Sequence, residues 1–367
     1  MTQIKEVIRY LESIAPKSYA ESYDNPGLIV GNEAEEITGV LVSLDCTEAV
    51  VEEAVAAGCN LVVSHHPIVF RGLKSLTGAD YVERTVISAL KNGVALYATH
   101  TNLDSVANGV SAKLAEMIGL AHGKILQPKS GLLSKLTYFV PTEYAERVRE
   151  AVFKAGAGQI GEYAGCSFNL DGTGTFTPSE GAEPFSGKKG VPEAAAETRT
   201  EVMFPAHLRS RVLAALFEAH PYEETAYYLY DLANVNQFVG LGMIGTLPRA
   251  VPGEEFLALL KERLGLQVIR HTAVLSEKPV KRVAVCGGSG SFLLKSAISA
   301  GADAYVTADF KYHEFFDAED KILIADVGHY ESERFTIDLL ATVISEKFST
   351  FATRLTGVNT NPVHYYH

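Results

Sequence analysis

Three short motifs carry imidazole and carboxylate groups at spacings that suit metal binding: SHHP at 64–67, HTNLD at 100–104 and GHYESE at 328–333. In SHHP, His65 and His66 are adjacent, and adjacent side chains of a regular strand point to opposite faces. At a strand end, with Pro67 next, the chain leaves the sheet, and both rings can turn to one ion or serve two neighbouring ions. The other reading is a polar loop with two solvated histidines. In HTNLD, Asp104 follows a strand, and is either a ligand or a helix cap. In GHYESE, Gly328 allows a sharp exit from the run KILIADV. His329 and Glu333 are then i and i+4, on one face if a helix starts there. Acids in a first helical turn also suit the helix dipole, but that does not account for His329.

These groups offer imidazole and carboxylate without thiolate, a donor set for Zn, Mn, Fe, Co or Ni, with zinc favoured. His65, His66, Asp104, His329 and Glu333 are too many for one tetrahedral ion that keeps an open position. They suit two divalent ions about 3.5–4 Å apart that share a carboxylate and a water, an arrangement that makes hydroxide available near neutral pH. His100 and His313 fall near the same strand ends and are candidate proton carriers. In CGGSGSFL (286–293), Gly288, Ser289 and Gly290 form a strand–loop–helix junction whose N–H groups could hold a phosphate. It lacks the GK[ST] of a P-loop, and a tight turn that needs glycine for packing reads equally well.

The elements that must position these groups are short apolar runs alternating with amphipathic helices: GVLVSLD (39–45), NLVVSHHP (60–67), GVALYATHTNLD (93–104), RVAVCGG (282–288), DAYVTADF (303–310) and KILIADVGH (321–329). Continuous apolar character predicts strands buried on both faces. Helical stretches such as TEAVVEEAVAAG (47–58) at crossover distance predict a layered, mostly parallel α/β sheet. Every run ends on polar groups, including Asp45, Asp309 and His329. In open α/β sheets ligands sit beyond the carboxyl ends of the strands, so the pattern stacks the chemistry along one edge.

Between about 130 and 235 the grammar changes. Strands are expected at 134–141, 165–178, 198–207 and 226–232, helices at 143–157 and 208–220, and a Gly/Pro/Ser/Ala-rich loop at 179–196 that could gate the site. Val148, Ala151, Phe153 and Ala155 follow Pro141 at the same offsets as Val212, Ala215, Phe217 and Ala219 follow Pro205. Two strand–helix halves in register predict a ferredoxin-like βαββαβ unit. The expected organisation is a discontinuous core of 1–129 and 236–367, interrupted by an inserted domain at 130–235.

Composition narrows the class. Thirty-two basic against 44 acidic residues give a net charge of −12, which argues against a nucleic-acid groove but leaves room for one local anion site. No apolar run reaches the roughly 18 residues a membrane span needs, and the start reads as an amphipathic helix rather than a signal peptide. Cys46, Cys59, Cys166 and Cys286 are far apart with no CxxC, which suits free thiols in a reducing cytoplasm. The terminal NPVHYYH could fold back, though disorder is the default at a terminus.

SHHP, TNLD and GHYESE in this order, with YDNPGL (23–28) before them and ADFKYHEFFDA (308–318) between, resemble the Nif-three-like family in its YqfO-type form. Members of that family are also named type-two GTP cyclohydrolase I homologs. The resemblance implies a dinuclear metal centre on His65, His66, Asp104, His329 and Glu333, a homohexameric ring, and a CutA-like or PII-like insertion. The reading it supports is a dinuclear metal-dependent hydrolase acting on a nucleotide, with attack at purine C8, ring opening and loss of formate, and with His100 or His313 moving protons. The rival from another class is a metal-holding or regulatory protein, with the insertion as sensor or lid.

Overall fold

The computed structural model describes residues 2–274 and 278–366. The chain divides into two compact units, Met1–Pro128 with Gln237–His367, and Lys129–Asn236. Among the described residues no helix is long and apolar enough to cross a membrane.

The first unit holds two sheets. One runs in the order Gly27–Val30, Ala95–Ala98, Leu61–Ser64, Gly39–Ser43, Ala352–Leu355. All its neighbours are parallel except the antiparallel edge pair of Gly27–Val30 with Ala95–Ala98. The inner strands are buried throughout, as their unbroken apolar runs require. Helices Ile4–Ile14 and Thr336–Lys347 cover one face, through Val7, Leu11, Leu340 and Ile344 against Val40, Val42, Leu61 and Val63. Helices Glu48–Ala56 and Tyr81–Asn92 cover the other, through Val50, Val51, Val86 and Ala89. Their starts are set by Thr47 and Asp80, whose side chains accept the N–H groups of Val50 and Glu83.

The second sheet runs Arg270–His271, Leu323–Asp326, Ala304–Ala308, Val280–Ser289, Asn236–Val251, Ala121–Lys129. Its Leu323, Ala304 and Val280 strands are mutually parallel, while Arg270–His271 and Asn236–Val251 pair antiparallel to them. The expected single edge is therefore two edges. His65, His66 and His100 follow strands of the first sheet, and Asp309 and His329 follow strands of the second. The short helix His329–Glu333 links the two, because the chain runs on from it into Thr336–Lys347, which packs on the first sheet.

The Lys129–Asn236 unit is one sheet of four strands, in the order Phe168–Phe176, Glu193–Pro205, Leu133–Pro141, Tyr227–Asp231, every neighbour antiparallel. Helices Ala145–Lys154 and Arg209–Ala219 share its core with Leu136, Tyr138, Val202 and Phe204. The repeat has a local cause. Each helix follows its proline through one turn of 3-10 helix, Thr142–Tyr144 and Ala206–Leu208, which brings Val148 and Val212 to equivalent buried places. The loop expected at 179–196 ends earlier, because Glu193–Ala196 pairs with Thr173–Phe176 as strand.

Because the two units have separate cores, their stabilities should be separable. Phe204→Ala, at a fully buried position, is expected to cost about 3–5 kcal/mol. Hydrogen exchange should place the lost protection within 129–236. Equal loss throughout the Met1–Pro128 strands would show that the units unfold together.

Candidate metal centre

Strand ends position the imidazoles. The His65 and His66 amides both donate to Leu44 O, at 3.1 and 2.9 Å, which pins SHHP to the end of the neighbouring strand. Each ring is then oriented through Nδ1. His65 Nδ1 lies 2.8 Å from Thr99 O, His66 Nδ1 2.8 Å from Asp45 Oδ1, His100 Nδ1 2.7 Å from Asp24 Oδ1 and His329 Nδ1 2.7 Å from Asp309 Oδ2. An oxygen acceptor there places a hydrogen on Nδ1, leaving Nε2 as the atom for a ligand.

Glu333, 3% exposed, stands where these Nε2 atoms converge. Its Oε2 lies 3.0 Å from His66 Nε2 and 3.1 Å from His329 Nε2. Its Oε1 lies 3.7 Å from His65 Nε2, which is 3.6 Å from Asp104 Oδ1. The ligand atoms of His66, His329 and Glu333, of His65, Asp104 and Glu333, and of His65, His66 and His100 lie within 4.8 Å of one another in each set. Such groups can hold a metal ion. The stronger indication is that His65 Nε2 and Asp104 Oδ1 are buried without a hydrogen-bond partner. Two orphaned buried polar atoms facing one another are costly, and a cation between them removes the cost.

The glycines give this set its room. A Cβ at Gly288, where φ is +60°, would lie 2.3 Å from Glu333 Oε1 and 3.2 Å from His329 Nε2. The stretch Gly288, Ser289 and Gly290, expected as a phosphate loop, packs against these groups. The Gly288 N–H already donates to Ser332 Oγ at 2.9 Å, and Ser289 is the last residue of a strand, paired with Ala308. A Cβ at Gly290 would strike Thr307 Oγ1 at 2.3 Å. Asp104 closes the short helix Thr101–Asp104 rather than capping its start. His100 joins the cluster. His313 does not: it is exposed on the 3-10 segment Tyr312–Ala318, its ring against Tyr312 and Phe316.

Asp24, Asp45 and Asp309 are the residues that motif reading left without a role, although Asp45 and Asp309 were visible as strand-end acids. The C-terminal segment folds back over the site. Thr360 Oγ1 donates to Asp45 Oδ2 at 2.6 Å and Asn361 Nδ2 to Glu331 Oε1 at 3.1 Å. A cavity of about 600 Å³ opens onto the cluster, lined by His66, His100, His329, Phe70, Arg270 and Tyr330 among others.

Charge is shared tightly here. Burial opposes protonation of His66, yet hydrogen bonds with Asp45 and Glu333 raise its pKa to about 9. His329 is raised against burial to about 11 through Asp309 and Glu333. Burial works to raise Glu333, but its imidazole partners hold it well below the usual carboxylate range. Burial raises Asp104. Asp24, despite its burial, is held at about 2 by His100 and Thr101.

The family described as Duf34/NIF3 (NGG1p interacting factor 3) matches residues 2–362. A Halalkalibacterium halodurans protein named GTP cyclohydrolase 1 type 2 homolog is 41% identical over 325 residues, 88% of this chain and 87% of its own. A Bacillus subtilis protein of the same name is 39% identical, over 89% of this chain and 88% of its own. The crystal structure of a Bacillus cereus protein related to NIF3 superposes with a TM-score of 0.87 at 36% identity, covering 100% of this chain and 99% of that one.

Two predictions follow from the ring partners. In metal-stripped protein His66 is an imidazolium at neutral pH, so metal uptake must expel a proton. Because its folded pKa is raised, its stabilising pairing is complete below its ordinary 6.5 and is lost as pH climbs through about 9. Zinc affinity should therefore rise across that window, and titration calorimetry should show proton release that scales with buffer ionisation enthalpy. An affinity flat from 6.5 to 9 would refute the pairing. Separately, Asp309→Asn should weaken zinc about 10–100-fold in chelator competition. An unchanged affinity would mean that Asp309 does not orient His329.

Proposed function

The chain belongs to the Duf34/NIF3 family, and we propose that it is a hydrolase dependent on two divalent ions, acting on a nucleotide by opening its purine ring. The observation that carries this reading is Glu333, which turns one oxygen to His66 and His329 and the other to His65, itself 3.6 Å from Asp104 Oδ1. In that reading His65, Asp104 and Glu333 hold one ion, and His66, His329 and Glu333 hold the second. Imidazole and carboxylate donors suit zinc, and also Mn, Fe, Co and Ni. Such a pair of ions supplies hydroxide near neutral pH and stabilises an oxyanion as it forms.

The chain's own groups do the rest. His100, its Nδ1 tied to Asp24, faces the cavity and is placed to accept or return a proton. Asp24 stays ionised at any working pH, which keeps that imidazole oriented. Phe70 and Tyr330 offer aromatic surface to a base. Arg270 brings a guanidinium to the cavity, where it can meet phosphate. The purine substrate is suggested by the relatives named GTP cyclohydrolase 1 type 2 homolog. Attack at C8 with one water opens the imidazole ring to a formamide, and a second water releases formate. The βαββαβ order and antiparallel pairing of the second unit support its assignment as ferredoxin-like.

Elemental analysis paired with a formate-release assay on GTP tests the proposal. Two ions per chain and formate from GTP are expected. Glu333→Gln should lose metal and lower turnover by about two orders of magnitude or more, as loss of a ligand to both ions requires. Metal-free protein working at the wild-type rate would end the proposal. Two ions with no turnover of any nucleotide would instead favour a metal-holding protein.

A further inference from the structure

The Lys129–Asn236 unit contains a second cavity, of about 520 Å³, that the metal reading leaves without a role. At its base is Glu197, on the interior strand Glu193–Pro205, between Gly172 and Pro141 of the flanking strands. A Cβ at Gly174 would lie 2.1 Å from the Glu197 carboxylate, so glycine in DGTGTF is what lets the carboxylate lie across its neighbour. Glu197 is only 8% exposed.

Its neighbours do not neutralise it. The Tyr222 hydroxyl donates to Oε1 at 3.0 Å, a neutral partner. His220 is close, but Nε2 faces Phe139 O at 2.9 Å, and Nδ1 accepts the Tyr222 N–H at 3.1 Å. That pattern is a neutral imidazole, and burial further lowers its pKa. Among the described residues lining the cavity are Glu197, Glu223 and Glu224, and no Lys or Arg. The walls are aromatic: Phe176 and Phe185 flank Tyr222 with ring centroids 6.1 and 5.9 Å away.

A buried carboxylate with only neutral donors is costly until a cation reaches it. Aromatic faces attract organic cations, and they offer nothing to a phosphate, which these carboxylates repel. We propose that this cavity binds a small organic ammonium ion, its nitrogen at Glu197 and its carbon skeleton among Phe176, Phe185 and Tyr222.

Benzylammonium and its neutral counterpart benzyl alcohol, titrated into the full-length protein at constant ionic strength and followed by ligand-observed NMR, test this. Saturable binding of benzylammonium at millimolar concentration or below is expected. Benzyl alcohol, and benzylammonium with Glu197→Gln, should each bind about tenfold more weakly or worse, the worth of one charge-assisted hydrogen bond. Phe185→Ala, on a half-exposed loop side chain, should weaken the ammonium severalfold without affecting the core. Metal content should not change in either variant. If Glu197→Gln does not fold, the ammonium–alcohol comparison and Phe185→Ala decide alone. Equal binding of the alcohol, displacement by magnesium, or no saturable benzylammonium binding at millimolar concentration would overturn the proposal.

Discussion

The polar cluster of the first unit is organised around one buried carboxylate. Glu333 sits among Nε2 atoms delivered by two sheets, with each of its oxygens committed to a different side. A carboxylate this buried must be paired, and among the described residues imidazoles lie against both of its oxygens. The surrounding architecture follows from that need. His329 and Glu333 share one helical face because the helix begins directly at Gly328, whose φ of +93° turns the chain out of its strand. The adjacent strand must carry glycine at position 288, because a Cβ there would lie 2.3 Å from Glu333 Oε1. Moving either element by one residue would separate the two halves of the site.

The imidazoles are fixed by a second requirement, met independently for each ring. Thr99 O, Asp45, Asp24 and Asp309 each take one Nδ1, and they come from different loops and strand ends. Ring orientation is therefore set by the fold before any ion arrives, which reduces the ordering that binding would otherwise require. The cost is visible at His65 and Asp104. Both are held in place with a buried atom left unpartnered, an arrangement that destabilises an empty site and favours an occupied one.

Charge links the centre to the kind of molecule it can accept. Asp24, Asp45, Asp104, Asp309, Glu331 and Glu333 crowd one region of a chain whose net charge is −12. Arg270 is the single Lys or Arg among the described residues lining the cavity, and it is already paired with Asp326 at 3.1 Å. At this mouth the side chains offer an anion little attraction, and the cations proposed for the centre would supply it. The aromatic cavity of the other unit has the opposite character: the described residues that line it include acids and no Lys or Arg, which suits the cation proposed for it.

The motifs that build the cluster were legible because their logic is local. SHHP marks a strand end, and the His329–Glu333 spacing needs only one helical turn. The division into two sheets was not legible, since GVLVS and AYVTA are equally apolar and carry no record of which strands they pair with. Asp45 and Asp309 stood out as strand-end acids, but a lone acid there reads equally as a cap. Only the pairing of neighbouring strands within each sheet shows each one accepting a hydrogen bond from a histidine Nδ1. His313 lies apart from the cluster for a related reason. Asp309 adopts a φ of +60°, unusual for a residue with a side chain, and it is Asp309 that turns back to His329 while the chain beyond carries His313 into solvent. A motif can list the polar groups near a strand end, but the backbone turn chooses which of them faces the site.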